Sequence, residues 1–313
     1  VKLLIAYDGS ECAKAAMSDL VRAGLPRDCE AVVLSVADVC VGLPPTGPES
    51  IPVSVAAMVE KARATAAAAV AESRRLAEDG ATQIRSLFPN WRVVADAAAD
   101  SPYWAFIRRA EEMDADLIVV GSHGRSLLGR AVLGSVSQKV LHHARSSVRI
   151  GRNPPPPPEG THPPRLVVGV DGSAGSQAAV DEIARRNWPA GTAVHVISVP
   201  DLRGLMQMAS DLTMIPVWIP QIAGAAADEH AVARGLVEAA GKKLAAAGLA
   251  VSTAVREGDP KHALLQEAES WNADTIFVGA KGHSRLERFL IGSVSAAVAA
   301  RARCTVEIVR PKE

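Results

Sequence analysis

The sequence predicts an α/β fold made twice: two tandem domains, each a doubly wound sheet of five parallel strands. Three observations predict it. Short apolar runs alternate with helical patterns along the chain, as parallel strands covered on both faces require. The 313 residues suffice for two ordinary domains, and 48% hydrophobic with 22% charged residues suits packed folds. The chain also repeats itself. LLIAYDGS at 3–10 returns as LVVGVDGS at 166–173, an offset of 163 residues that Ser35-Val36 and Ser198-Val199 share. Ile150 and Ile308 lie 158 apart, so the copies differ by a net five residues between the second strand and the C-terminal half. The domains are read as 1–151 and 165–313.

In the first copy, 2–7 is a buried strand by its apolar run. Ser10 can cap a helix over 11–23, which ends near Gly24 and Pro26. Residues 30–37 form the second strand and 38–56 a proline-rich loop. A long alanine-rich helix over 57–78 takes Gly80 as its stop. Residues 91–97 make the third strand, Pro102 opens a helix to Met113, and 116–120 is the fourth strand. A glycine-bearing loop, a helix over 135–144 and a last strand over 147–151 complete the copy. The second copy repeats this, with strands at 165–170, 193–199, 250–256, 274–278 and 305–309. Its helices are expected at 176–186, 228–247, 260–271 and 293–303. Residues 152–164 join the copies. Five consecutive prolines favour an extended, fairly stiff spacer, and no hydrophobic anchors suggest a docking motif there.

Composition excludes several function classes. Lys+Arg and Asp+Glu both number 34, which argues against a broad electrostatic grip on nucleic acid. No apolar run reaches the length of a membrane span. The chain opens directly on a strand pattern, so no leader peptide is expected. Cys12, Cys29, Cys40 and Cys304 show no metal-ligand spacing, and buried free thiols in a reducing cytoplasm are the expectation.

The chemistry concentrates in one stretch that occurs twice. GSHGRSLLGRAVLGS at 121–135 and GAKGHSRLERFLIGS at 279–293 both read Gly-x2-Gly-x9-Gly-Ser, each between a strand and a helix. Such a loop can bring backbone N–H groups to an anion at a helix N-terminus. Gly121, Gly124 and Gly134, with Gly279, Gly282 and Gly292, would allow close backbone approach; Ser135 and Ser293 would add hydroxyls. If the strands run in the order 3-2-1-4-5, the first and fourth straddle the switch point where such sheets bind ligands. Asp8-Gly9-Ser10 and Asp171-Gly172-Ser173 would then meet the glycine loops. Either aspartate could bind a ribose hydroxyl or a metal holding phosphates; the plainer alternative is an Asx-turn or helix cap.

These residues resemble the universal stress protein family. The resemblance rests on YDGS and VDGS after the first strand, on Gly-x2-Gly-x9-Gly-Ser-Val after the fourth, on Glu257-Gly258-Asp259-Pro260, and on 304–309 with Arg310-Pro311. It covers nearly the whole chain, twice, as a tandem member. It implies a sheet order of 3-2-1-4-5 in a HUP-type, adenine nucleotide α-hydrolase-like fold. It further implies ATP (or ADP or AMP), with Mg2+, at each switch point. Asp8 and Asp171 would sit at ribose or metal, and the backbones of Val36 and Val199 at the adenine edge. The loop glycines, Ser135 and Ser293 would hold phosphate, with Val136 and Val294 following as in the family. Arg125 and Gly258 join the expected binding residues. The resemblance implies pairing of the last strands, either as an intramolecular pseudo-dimer of the two domains or between chains as a homodimer. It also implies a cytoplasmic regulator in stress response.

The copies differ. Asp100 and Ser101 stand where the second copy has Gly258 and Asp259, and an extra carboxylate would repel triphosphate unless a metal intervenes. Ser122-His123 becomes Ala280-Lys281, and Arg125 becomes His283. Arg130, Lys281, Arg285 and Arg288 are further cationic candidates, and metal ligation by the isolated His123 or His283 is not expected. The second site is accordingly expected to bind more tightly. The loop over 205–222 carries Met206, Met208, Met214 and Trp218, either as a cover for apolar surface or as a lid. Without a Gly-x4-Gly-Lys-Ser/Thr loop or a nucleophile–base constellation, the sequence supports binding over catalysis. A slow ATP hydrolase, an adenylate-transferring enzyme and a non-binding scaffold are the alternatives.

Overall fold

The structure is a computed structural model that describes residues 1–39, 53–124, 133–152, 162–200, 219–282 and 291–311. Two compact units emerge, Val1–Val21 with Pro26–Pro155, and Arg22–Leu25 with Pro156–Glu313. The first contains strands β1 (Lys2–Ala6), β2 (Glu30–Ala37), β3 (Arg92–Ala99), β4 (Leu117–Gly121) and β5 (Ser147–Gly151). Its helices are α1 (Glu11–Asp19), α2 (Val53–Leu87), α3 (Pro102–Glu112) and α4 (Ser135–His143). Every strand pairs in parallel, in the order β3-β2-β1-β4-β5. That is the expected 3-2-1-4-5 topology, with its switch point between β1 and β4.

The second unit repeats the plan. Its strands are β6 (Arg165–Gly169), β7 (Ala193–Ser198), β8 (Ala250–Val255), β9 (Thr275–Gly279) and β10 (Thr305–Val309). Its helices are α5 (Ala174–Arg185), α6 (Ile219–Ala246), α7 (Pro260–Ser270) and α8 (Ser293–Arg301). The order β8-β7-β6-β9-β10 is again all parallel. The repeat extends to backbone detail: Asp114 and Asn272, just beyond α3 and α7, share a φ of 51°. Short polar side chains tolerate that left-handed region best.

Leu3, Leu4 and Ile5 of β1 and Ile118 and Val119 of β4 are fully enclosed, as a central strand covered on both faces demands. Leu166, Val168, Val194, Val196 and Phe277 form the corresponding core of the second unit. The last strands also bury charge. Arg149 on β5 and Asp19 on α1 are both fully enclosed and paired at 2.7 Å. Glu307, at the equivalent position of β10, pairs instead with Arg186 after α5.

Several helix limits differ from the sequence reading: α2 opens at Val53 rather than 57, and α6 at Ile219 rather than 228. The first helix narrows to a 3-10 turn at Leu20–Arg22. The long helix does not stop at Gly80 but runs through it to Leu87. A Cβ at Gly80 would lie 2.9 Å from Cδ1 of Tyr7 and 3.0 Å from Cγ1 of Val33. The glycine is therefore a contact point where α2 presses on the sheet, beside buried Ser73, Ala77, Ala81 and Ile84. The expected Met-rich loop over 205–222 is shortened from its end, since 219–222 open α6; its remainder, the proline run and Cys40 lie outside the described residues.

Candidate functional site: a crevice at each switch point

Each domain opens a cavity at the carboxyl ends of its central strands. β1 ends in Tyr7-Asp8-Gly9-Ser10, and Gly9 takes a φ of 79°. Asp8 Oδ1 accepts the Ser10 N–H at 3.0 Å, and Ser10 Oγ accepts the Ala13 N–H at 3.2 Å. The plainer alternative, an Asx-turn followed by a cap, is thus real. It uses one carboxylate oxygen; the other lies against the glycine loop. A Cβ at Gly124 would fall 2.9 Å from Asp8 Oδ2. The second domain has the same turn. Asp171 Oδ1 accepts the Ser173 N–H at 3.0 Å and its O–H at 2.6 Å, and a Cβ at Gly282 would fall 2.6 Å from Asp171 Oδ2. Two motifs far apart in sequence therefore converge, once per domain.

The ends of each glycine loop are pinned together. The Gly134 N–H donates to Ser122 O at 2.8 Å, and the Gly292 N–H to Ala280 O at 2.7 Å. Gly134 and Gly292 are the N-caps of α4 and α8, and neither helix has a side-chain cap. The first intrahelical bonds come from Gln138 and Ala296. The N–H groups of Ser135, Val136, Ser293 and Val294 therefore lack helical acceptors, and all four residues line the cavities.

Strand alternation orients Val36 and Val199. Leu34 O accepts the Tyr7 N–H at 3.0 Å, and Ile197 O accepts the Val170 N–H at 2.8 Å. The peptide groups two residues on face the same side, where the central strand has already ended. Val36 and Val199 thus present backbone donor and acceptor groups to the crevice, and both line it.

Several expected site residues have other work. Gly121 and Gly279 line the cavities, but their closest neighbours are helix backbone: a Cβ at Gly121 would lie 2.9 Å from the carbonyl carbon of Cys12, and one at Gly279 2.2 Å from that of Gly175. They admit α1 and α5 close to the sheet. Gly9, Ser10 and Gly172 do not line the cavities; they make the turn that aims the aspartate, whereas Ser173 does line its cavity. Gly258 has a φ of 102°, with nothing within 4 Å of a built Cβ among the described residues, and makes the turn before α7. Arg125, Arg130, His283, Arg285 and Arg288 fall outside the described residues. Asp100 is not in the cavity wall. It pairs with Arg108 at 3.0 Å and accepts the Ser101 N–H at 2.7 Å.

The structure adds residues that sequence reasoning missed. Ser137 Oγ donates to Gly121 O at 2.7 Å, and Ser295 Oγ to Gly279 O at 2.6 Å, tying α4 and α8 each to the end of the strand before it. Their shared offset of 158 residues was the available signal. The first cavity, about 720 Å³, takes part of its wall from α2 through Leu76, Ser73 and Glu72; the second is about 360 Å³. Both sizes lie within the usual range for small-molecule sites. Tyr7 lines the first cavity, where burial pushes its phenol above the ordinary range and keeps it neutral. No group of three or more His, Cys, Asp or Glu that could hold a metal occurs among the described residues. No described helix is long and apolar enough to cross a membrane.

Comparison with known proteins accords with this architecture. The sequence model of the universal stress protein family matches residues 2–151 and 164–310. A universal stress protein of Mycolicibacterium smegmatis is 30% identical over 207 residues, 63% of this chain and 63% of that protein. One from Mycobacterium tuberculosis is 31% identical over 202 residues, 63% of this chain and 62% of that protein. The match thus spans somewhat under two thirds of these relatives. Among solved structures, a universal stress protein from Archaeoglobus fulgidus superposes with a TM-score of 0.57 at 20% identity, covering 99% of this chain and 98% of that one. At that identity the likeness concerns the fold.

Proposed function

Because the chain belongs to the universal stress protein family in both halves of its length, we propose that it binds an adenine nucleotide, ATP in the first instance, at the switch point of each domain. The observation that carries the reading is the convergence of Asp8 on Gly124, and of Asp171 on Gly282, beside an uncapped helix N-terminus. The base would meet the peptide groups of Val36 or Val199. The phosphates would meet the loop and the first-turn N–H groups of α4 or α8, as anions do at helix N-termini. Asp8 or Asp171 would meet the ribose or a Mg2+ ion. The residues present fit such an ion, since Mg2+ on a nucleotide needs only one or two protein carboxylates beside the phosphates. Bound there, it would neutralise phosphate charge.

The proposed role is a nucleotide-dependent regulator in stress response, with the bound state rather than turnover as its output. Pairing of the last strands, within the chain or between chains, and a cytoplasmic location belong to the same reading and follow from the resemblance. The test is mass spectrometry of the purified protein after denaturation. Released ATP or ADP in near-stoichiometric amount is expected. No released nucleotide, together with no binding of added ATP at millimolar concentration, would refute the reading.

A further inference from the structure

The first-domain cavity holds a buried polar atom with no partner among the described residues. His123, between the first two loop glycines, lines that cavity. Its Nδ1 lies 3.2 Å from Ser122 Oγ. Its Nε2 is buried and has no hydrogen-bond partner among the described residues. Buried ring nitrogens that serve only the fold are in most cases paired, because an unmet buried donor is destabilising. If the Ser122 hydroxyl donates to Nδ1, the ring hydrogen sits on Nε2 and requires an acceptor.

Position selects that acceptor. His123 follows β4, on the opposite side of β1 from Val36. A Cβ on Gly134, the N-cap of α4, would lie 3.2 Å from the His123 Cα. The ring therefore belongs to the end of the crevice with the uncapped helix N-terminus, where anionic groups are favoured. The second domain supplies an independent argument. The equivalent residue is Lys281, which also lines its cavity, and Ser122 is replaced there by Ala280. An ammonium group needs no neighbour to fix its tautomer, so the hydroxyl and the imidazole change together.

We infer that His123 reads phosphate in the first domain, its Nε2 donating to a phosphoryl oxygen of the bound nucleotide, and that Lys281 takes this part in the second. The inference rests on the nucleotide reading above and adds to it a side chain that discriminates phosphorylated from unphosphorylated ligands.

Calorimetric titration of the full chain with ADP and with adenosine tests it. His123→Ala should weaken ADP at one class of site by about tenfold, as expected for losing a charge-assisted hydrogen bond, and leave adenosine unchanged. His123→Lys should keep most of the ADP affinity. The unliganded His123→Ala protein should lose little stability, because only the Nδ1 contact with Ser122 Oγ is given up and Nε2 has no partner among the described residues. His123→Asn, too short to reach, should reproduce the loss and replaces the alanine variant if that one fails to fold. Unchanged ADP affinity, or equal losses for ADP and adenosine, would overturn the inference. Wild-type protein that binds neither ligand would instead overturn the nucleotide reading, and this inference with it.

Discussion

Asp171 and Gly282 stand so close that a Cβ on the glycine would lie 2.6 Å from the aspartate Oδ2. Asp8 and Gly124 repeat the relationship at 2.9 Å. One carboxylate oxygen shapes its own turn while the other meets a loop that arrives from the opposite side of the switch point. The requirement for glycine at 124 and 282 is therefore set by the aspartate. Gly282→Ala and Gly124→Ala should each push the carboxylate aside and weaken nucleotide at the affected site by about tenfold or more. Titration of the full-length variants with ATP checks this; unchanged affinities would show that the contact is incidental.

Glycines inside helices give a sharper test, because space decides the sign. Alanine is favoured over glycine in a helix by about 1 kcal/mol. At Gly235 in α6 nothing among the described residues lies within 4 Å of a built Cβ, so Gly235→Ala should stabilise the second domain by up to about that amount. At Gly80 the same change meets the Tyr7 ring at 2.9 Å, and overpacking of about 1–3 kcal/mol should outweigh the propensity gain. Urea midpoints of the two variants should move in opposite directions. A shift in the same direction would contradict the packing of α2 on Tyr7.

Asp19→Ala should destabilise the first domain strongly. It removes a carboxylate from a guanidinium that is itself fully enclosed. Breaking such a pair from one side typically costs about 3–5 kcal/mol. A loss below about 1 kcal/mol, the range of exposed pairs, would mean that Arg149 reaches water.

Glu267 on α7 offers a pH signature. A hydrogen bond from Arg256 is the first cause holding its carboxyl below the usual range, and His195 approaches its other oxygen at 3.2 Å. A carboxyl lowered in the folded state stabilises above its unfolded pKa of about 4.3, and loses that contribution as pH falls through its folded value. Glu267→Gln should therefore lower the unfolding midpoint at neutral pH, and the gap to wild type should close toward about pH 3. A constant gap across that range would assign the effect to packing.

Much of the fold was legible because the chain states it twice. The shared offsets separated the domains, and alternating apolar runs placed every strand to within two residues. The failures have physical causes. Gly80 reads as a helix stop by propensity, yet its role depends on Tyr7, a residue distant in sequence. The glycine loop and the DGS turn announced the crevice, but not that Gly121 and Gly279 serve helix packing. Nor did sequence show that Asp100 is answered by Arg108, because an ion pair depends on where α3 turns its faces. Ser137 and Ser295 were within reach of the repeat and would have been found by extending the motif two residues.

The central claim, that each domain holds an adenine nucleotide between its aspartate and its glycine loop, is tested most directly by calorimetric titration of ATP with Mg2+ into the full chain and into the double variant Asp8→Ala/Asp171→Ala. Circular dichroism serves as the check that the variant is folded. The account predicts saturable binding by the wild type at up to two sites and binding weakened at least tenfold in the folded double variant. Equal affinities in the two proteins, or no saturable binding by the wild type, would contradict it.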